Sequence, residues 1–281
     1  MTKDPETPIG IFDSGVGGLS VLRAIREQMP AEEIIYFGDQ AHVPYGPRPL
    51  DEVCAFSEEI TRFLLAKKAK IIIVACNSAS AAALPHLRGS FPEISFVGME
   101  PAVKPAVEQT QSGIVGVLAT PATFQGALYA SVLERFAQGV TVLQDTCPGL
   151  VAQIEKGALT APETESILRG ALEPMLAKGI DTVVLGCTHY PFVIPLIQKI
   201  VGPDVRVIDP APAVARQAAR LLDAGGLRHS ERKTAPLTTY YTSGTAEQFE
   251  VLLSVLIGEK GSVNEVSWKV EGLKVFLTSN V

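Results

Sequence analysis

The sequence has few cysteines, no excess of positive charge and no long hydrophobic run. Its 281 residues carry a net charge of -6 and include four cysteines, none of them in a Cys-x-x-Cys pair. Because the Lys and Arg residues are scattered, nucleic acid and membrane surfaces are poor candidates for the ligand, and no apolar run approaches the roughly 18 residues that span a bilayer. We therefore expect a cytoplasmic protein with reduced thiols that binds a small molecule. We also expect a homodimer.

One short pattern occurs twice in the chain. The apolar runs at 71–74 and 182–185 each lead to a cysteine, Cys76 and Cys187, and an Ala-Lys pair precedes both runs at the same offset. A continuous β-branched run is typical of a parallel strand that is covered on both faces, and the carboxyl end of such a strand is where open α/β sheets bind ligands. The pattern predicts two cysteines at equivalent strand ends.

The strands around these runs also repeat. Short apolar strands are predicted at 9–12, 34–37, 71–74 and 96–98, and again at 114–120, 140–143, 182–185 and 205–208. This order indicates one duplicated βα unit. It predicts two similar α/β domains with mainly parallel sheets, related by pseudo-twofold symmetry, with the active site in the cleft between them. We place the first domain at 1–98 plus 209–281 and the second at 99–208.

The remaining elements are predicted from local signals. A helix is expected to begin near Thr160, where Thr160 and Glu163 have capping-box spacing. After Asp209 the sequence predicts helices at about 213–224 and 246–256 and strands at 238–242, 263–270 and 273–277. These elements are too few for a third core, so we expect this part to pack on the first domain.

Two opposed thiols suggest a specific chemistry. If the two domains face each other, Cys76 and Cys187 lie on opposite walls of one cleft. A thiol has an ordinary pKa of about 8.5 that its surroundings can shift, so one cysteine can accept a proton while the other donates one. This arrangement suits inversion at a carbon atom by a base on one face and an acid on the other.

Other interpretations of the cysteines stay open. A cysteine at a strand end is usually a small buried hydrophobe, and a redox pair would need the two thiols to reach disulfide distance. A zinc site needs three or four ligands, and only His189 lies nearby in sequence.

The Gly15-Val16-Gly17-Gly18 stretch is not a dinucleotide fingerprint. We expect no metal and no cofactor, place Cys54 in the core, and predict that Cys147 lies in a loop that could line the cleft.

Polar residues follow the same strand ends. Asp13 follows the first strand, beside Cys76 in the predicted sheet, and either orients that thiol, binds an ammonium group or serves as a turn former. His189 stands two residues after Cys187 and is the natural modulator of its protonation. Hydroxyl, amide and backbone donors for a carboxylate are offered by Ser14, Tyr45, Gly46, Asn77, Ser78 and Thr188.

Four stretches of the chain, in order, carry a resemblance. They are Phe12-Asp13-Ser14-Gly15-Val16-Gly17-Gly18, Pro44-Tyr45-Gly46, Ala75-Cys76-Asn77-Ser78 and Gly186-Cys187-Thr188-His189-Tyr190-Pro191. Together they resemble the cofactor-independent bacterial glutamate racemases, and the similarity runs from residue 9 to about residue 255. The resemblance implies interconversion of L- and D-glutamate without pyridoxal phosphate or metal, with the D form used for peptidoglycan.

The resemblance also implies roles for individual residues. Cys76 and Cys187 match the proton acceptor and donor of the family, and Glu155 matches an acid of the second domain that assists through the histidine. The residues that match substrate ligands are Asp13, Ser14, Tyr45, Gly46, Asn77, Ser78, Thr188 and His189. Ser78 stands where many members have threonine, which keeps the hydroxyl.

Two alternative functions remain open from the sequence. Racemisation of a related acidic amino acid such as aspartate would use the same two thiols and would differ only in the pocket for the side chain. The sequence does not settle the length of that pocket. A non-catalytic amino-acid sensor with two α/β lobes would explain a cleft but gives no reason for two equivalent cysteines.

Overall fold

The chain folds around two β-sheets. The computed structural model describes residues 4–229, 237–271 and 274–279. Within these residues the larger sheet has the strand order β11-β10-β9-β2-β1-β3-β4 and the smaller one β6-β5-β7-β8. The strands are β1 Ile9–Asp13, β2 Ile34–Gly38, β3 Ile71–Val74, β4 Ser95–Gly98, β5 Ile114–Ala119, β6 Thr141–Asp145, β7 Thr182–Gly186, β8 Arg206–Ile208, β9 Thr238–Thr242, β10 Val263–Glu271 and β11 Lys274–Ser279.

Helices connect most of the strands. In the described part of the chain they are α1 Leu19–Gln28, α2 Leu50–Ala66, α3 Asn77–Ser90, α4 Val103–Gln109, α5 Pro121–Gln125, α6 Ala127–Phe136, α7 Leu150–Glu155, α8 Pro162–Leu176, α9 Ile194–Val201, α10 Ala211–Ala224 and α11 Ala246–Ile257, with a 3-10 helix at Tyr190–Val193. None of these described helices combines the length and the apolarity that a membrane crossing needs.

The two sheets share one strand order. In the larger sheet the order β2-β1-β3-β4 is made by parallel pairs, and the smaller sheet repeats it as β6-β5-β7-β8, again with parallel pairs. The pairing of β10 with β11 is antiparallel. This confirms the predicted class of two similar α/β units with mainly parallel sheets, and the common order is what duplication of one unit produces.

The central strands direct the polar residues to one edge of each sheet. Strands β1, β3 and β7 are buried along their whole length, as their unbroken apolar runs predict. Phe12 of β1 lies opposite Val74 of β3, so the chain leaves both strands at the same edge. In the smaller sheet Ala119 lies opposite Gly186, which sets the edge from which Cys187 follows.

The segment after β8 returns to the larger sheet. Strand β9 pairs in parallel with β2, and β10 pairs in parallel with β9. Helix α10 packs against α1 and β4. The strands before residue 99 and after residue 208 thus share one sheet, while the domain boundaries themselves remain a prediction.

Two local features differ from what the sequence predicts, and a third expectation lies partly outside the described residues. Helix α8 begins at Pro162 with Ala161 as its N-cap residue, so the predicted capping box at Thr160 is wrong; a proline at the first helical position sets the start. The sequence does not predict α3, because Pro85 interrupts an Ala-rich stretch with little apolar periodicity. The strand expected at 273–277 corresponds to β11, and residue 273 lies outside the described residues.

Candidate active site

A small, largely closed cavity lies where the carboxyl ends of the two sheets meet. Every residue predicted for the site lines it, except Asp13 and Glu155, which lie behind the lining residues and bond to the loops that form it. The lining residues are Ser14, Pro44, Tyr45, Gly46, Cys76, Asn77, Ser78, Thr120, Val151, Cys187, Thr188 and His189. The larger sheet and its loops thus supply one wall and the smaller sheet the other.

Cys76 is placed by the start of helix α3. It is the N-cap residue of the helix, and its Sγ accepts a hydrogen bond from the backbone N–H of Ala79 at 3.4 Å. The thiol donates toward Ser14 Oγ at 3.9 Å. Burial raises the pKa of Cys76, the charge of Asp13 raises it further, and the bond from Ala79 only partly offsets them. The free protein therefore holds Cys76 as a thiol, the form that donates a proton.

Cys187 lies at the end of a chain of proton-carrying groups. Its Sγ is 3.8 Å from His189 Nδ1, and His189 Nε2 is 2.6 Å from Glu155 Oε1. Burial lowers the pKa of His189, but its bonds to Cys187 and Glu155 outweigh this and hold it well above the ordinary value. The protonated imidazole can return a proton to the Cys187 sulfur, and the neutral one can accept it.

The glycine-containing loop after β1 packs directly against the ion pair between His189 and Glu155. The backbone N–H of Val16 donates to Glu155 Oε1 at 2.9 Å. A side chain at Gly15 would lie 2.0 Å from that same oxygen, and one at Gly17 would lie 2.3 Å from His189 Nδ1. The close approach of the two halves therefore requires glycine at both positions.

Asp13 joins the two halves on the other side of the loop. It is fully buried, its Oδ2 accepts from the backbone N–H of Gly15 at 3.0 Å, and its Oδ1 accepts from Thr188 Oγ1 at 3.3 Å. Burial raises the pKa of Asp13, and the positive charge of His189 partly opposes the rise. A carboxyl whose pKa is raised beside a thiol of raised pKa can exchange a proton with it.

Asn77 is the clearest sign of a ligand. It is the first residue of α3 and is buried, yet among the described residues neither its Oδ1 nor its Nδ2 has a hydrogen-bond partner. Buried amides in native proteins are nearly always paired, so an unpaired one that lines a cavity indicates a bound polar molecule. An amide can donate to a carboxylate and accept from an ammonium group, and an amino acid carries both.

The remaining wall residues differ in what they present to the cavity. Ser78 Oγ lies 2.8 Å from Thr120 Oγ1, so the two hydroxyls form a pair across the halves. The hydroxyl of Tyr45 donates to Asp39 Oδ2 at 2.5 Å and points away from the ligand space. Gly46 accepts a backbone bond from Ala122 at 3.0 Å.

Sequence reasoning missed several of these partners. Thr120 had a usable signal, because the duplicated pattern aligns it with Ser14 at the end of the equivalent strand. Asp39 and Gln40 lie in a loop with no distinguishing local pattern, although Gln40 Nε2 donates to Glu155 Oε2 at 3.4 Å.

The other two cysteines lie apart from the cavity lining. Cys54 is half-buried on α2, beside the core of the larger sheet, and Cys147 is buried in the hydrophobic core. Within the described residues no three His, Cys, Asp or Glu side chains are grouped so that they could hold a metal ion.

The chain matches one family along most of its length. The model of the Asp/Glu/hydantoin racemase family matches residues 9–218. A glutamate racemase from Roseiflexus sp. (strain RS-1) is 49% identical over 253 residues, which are 90% of this chain and 93% of that protein.

Solved structures agree with the sequence comparison. Glutamate racemase isoform RacE1 from Bacillus anthracis has a TM-score of 0.84 and 33% identity, covering 95% of this chain and 100% of that one. Glutamate racemase from Francisella tularensis in complex with D-glutamate has a TM-score of 0.81 and 30% identity, covering 94% of this chain and 98% of that one. The similarity therefore extends over nearly the whole chain, including both sheets.

Proposed function

The chain belongs to the Asp/Glu/hydantoin racemase family, and on that premise we propose that it is a glutamate racemase, which interconverts L- and D-glutamate and supplies the D form for peptidoglycan. One observation carries the proposal: Cys76 and Cys187 follow equivalent strands of two similar sheets and line a single cavity. Two proton-transferring groups on opposite walls are what inversion at Cα requires.

The two thiols act in opposite roles in each direction. In one direction the Cys187 sulfur, as thiolate, removes the proton from Cα of glutamate, so the Cα–H bond breaks and an S–H bond forms. The Cys76 thiol then gives its proton to the opposite face of Cα and becomes the thiolate. In the other direction the roles are exchanged. Each sulfur gains or loses one proton, and no electrons are transferred.

Neighbouring groups prepare the thiols for these roles. His189, held by Glu155, stabilises a thiolate at Cys187 and can reprotonate it. Asp13 lies beside Cys76 and exchanges protons with that sulfur. The substrate carboxylates and ammonium are held by neutral donors and acceptors, chiefly the unpaired amide of Asn77 and the hydroxyls of Ser14, Ser78 and Thr188, with the backbone at Tyr45 and Gly46.

The direct test is an assay with no added cofactor. Purified protein is incubated with L-glutamate, and the optical rotation or circular dichroism is followed to equilibrium, with L-aspartate in parallel. Loss of rotation with glutamate alone is the expected result. Loss with aspartate alone would assign the protein to the related acid, and no change with either would favour an amino-acid sensor.

The cysteines are tested one at a time. Cys76→Ala and Cys187→Ala should each abolish racemisation, because each direction needs one base and one acid. Cys54→Ala, which alters a half-buried thiol outside the cavity, is the matched control and should keep the wild-type rate. Near-normal racemisation by either cavity variant would remove that cysteine from the mechanism.

Isotope exchange tests the placement of the thiols on opposite walls. In D2O, L-glutamate should give D-glutamate that carries deuterium at Cα while the remaining L-glutamate is still mostly protiated. D-Glutamate that retains its original proton in early turnover would indicate one base that serves both faces.

The homodimer and the cytoplasmic location remain predictions, and sedimentation equilibrium of the purified protein tests the first of them.

A further inference from the structure

A buried carboxylate outside the cavity collects donors from two distant parts of the chain. Asp39, the first residue after β2, is fully buried. Its Oδ2 accepts from Tyr45 OH at 2.5 Å and faces His42 Nδ1 at 2.9 Å, while its Oδ1 accepts from Ser243 Oγ at 2.6 Å and Trp268 Nε1 at 2.7 Å. These five residues are called the Asp39 cluster below. With both oxygens occupied, Asp39 has no free acceptor for the substrate.

The Asp39 cluster links the substrate cavity to the C-terminal strand β10. Tyr45 lines the cavity, and its ring is held by the bond to Asp39. Trp268 belongs to β10, beyond the part of the chain that the racemase family model matches. It is not among the residues that line the cavity, so it reaches the site only through other residues.

Aromatic packing reinforces the same link. The ring of His42 stacks on Phe56 at 3.9 Å between centroids, and Trp268 meets His42 edge-on at 5.1 Å and Phe56 at 5.4 Å. Phe56 lies in turn 5.9 Å from the ring of Tyr45. The loop between β2 and α2 therefore packs between helix α2 and strand β10.

We propose that Trp268 is a positioning residue for substrate binding: through Asp39 and His42 it fixes the Tyr45–Gly46 wall of the cavity. A hydrogen bond to a buried carboxylate is stronger than one between neutral groups, and a carboxylate that loses one of four donors can rotate away from the others. Removing the indole N–H should therefore loosen the wall that the substrate contacts, while the thiols at the other strand ends keep their places. This proposal rests on the glutamate racemase activity proposed above.

The kinetic test compares Trp268→Phe with wild type. Phenylalanine keeps an aromatic ring against His42 and Phe56 but cannot donate to Asp39. We expect KM for glutamate to rise about five- to tenfold with kcat changed less than about twofold, the pattern seen when binding common to the ground state and the transition state is lost. The matched control is Tyr241→Phe, since the Tyr241 ring packs on Phe63 and its hydroxyl is not one of the donors to Asp39, and its KM should not change.

A double-mutant cycle tests whether the effect runs through Asp39. Asp39→Asn turns one acceptor into an amide donor that faces other donors, so it should raise KM at least as much as Trp268→Phe. Because both changes break the same link, the double variant should be no worse than about twice the worse single variant. KM values that multiply would show that Trp268 acts by another route and would overturn the proposal.

A spectroscopic readout in the unaltered protein removes any dependence on variant folding. Trp268 is the only tryptophan of the chain, so protein fluorescence excited at the red edge reports on it alone. Titration with glutamate should shift or quench its emission with a midpoint near KM. An emission spectrum that saturating glutamate leaves unchanged, or an unchanged KM in folded Trp268→Phe, would overturn the proposal. Absence of racemisation by the wild type would instead overturn the function.

Discussion

Replacing Glu155 by glutamine removes one charge from the site and keeps its shape. Glu155 Oε1 accepts from His189 Nε2 at 2.6 Å and from the Val16 N–H at 2.9 Å. A glutamine oxygen can accept both bonds, so the fold should persist and the loss should be that of the charge. Hydrogen bonds to charged groups contribute about 1.5–3 kcal/mol, and we expect Glu155→Gln to lower the free energy of unfolding by about that amount near pH 6.

The size of this loss should depend on pH. Burial raises the pKa of Glu155, but the bond and charge of His189 outweigh it and leave the pKa below the ordinary 4.5. Burial lowers the pKa of His189, but Cys187 and Glu155 lift it well above the ordinary 6.5. The depressed carboxyl contributes stability above pH 4.5 and loses it as the pH falls through its folded-state pKa. The raised imidazole contributes fully below pH 6.5 and loses it as the pH rises through its folded-state pKa.

The difference between wild type and Glu155→Gln should therefore be largest between pH 4.5 and 6.5, the two ordinary pKa values. Urea unfolding at a series of pH values measures it. Glu173→Gln is the matched control: Glu173 is exposed and pairs with Arg169 at 3.1 Å, so its loss should stay below about 0.5 kcal/mol with no maximum. Because Glu155 acts through His189, kcat should fall about tenfold, less than for a direct acid or base. A stability difference that does not vary with pH would refute the ion pair.

Two further substitutions test the close approach of the halves and a surface carboxylate. Gly17→Ala should lower kcat by at least about tenfold, because the new Cβ would lie 2.3 Å from His189 Nδ1, and normal turnover by this variant would contradict the contact. In contrast, Gly170→Ala, at an exposed position of α8 with open space around it, should stabilise the protein by up to about 1 kcal/mol. Burial raises the pKa of Asp181, but hydrogen bonds from residues 110–112 outweigh it and bring it to about 2, so its stabilisation is present above pH 3.8 and is lost as the pH falls toward 2. Asp181→Asn should cost about 1 kcal/mol at pH 7, a value reduced because solvent screens this largely exposed carboxylate, and almost nothing well below pH 2, where the carboxyl is protonated in both states. Urea unfolding at both pH values would expose a loss that persists in acid.

The sequence by itself predicted the elements that hold the chemistry. The apolar runs before Cys76 and Cys187 predicted buried parallel strands, and such strands direct whatever follows them to one edge of a sheet. The repeated order of runs predicted two similar sheets, and the structure has them in the same strand order. Hydrophobic periodicity is local, so it can be read without knowing the fold. The relevance of Glu155 came only from the family resemblance.

The tertiary structure alone decided which distant side chains meet. The bond between Val16 and Glu155 spans 139 residues, and the one between Asp39 and Trp268 spans 229. No local pattern marks these partners, because the contacts depend on how the two sheets and the C-terminal segment pack against each other. The same packing turns the Tyr45 hydroxyl away from the cavity and leaves the amide of Asn77 unpaired inside it. A side chain's partners are set by three-dimensional proximity, which periodicity along the chain does not encode.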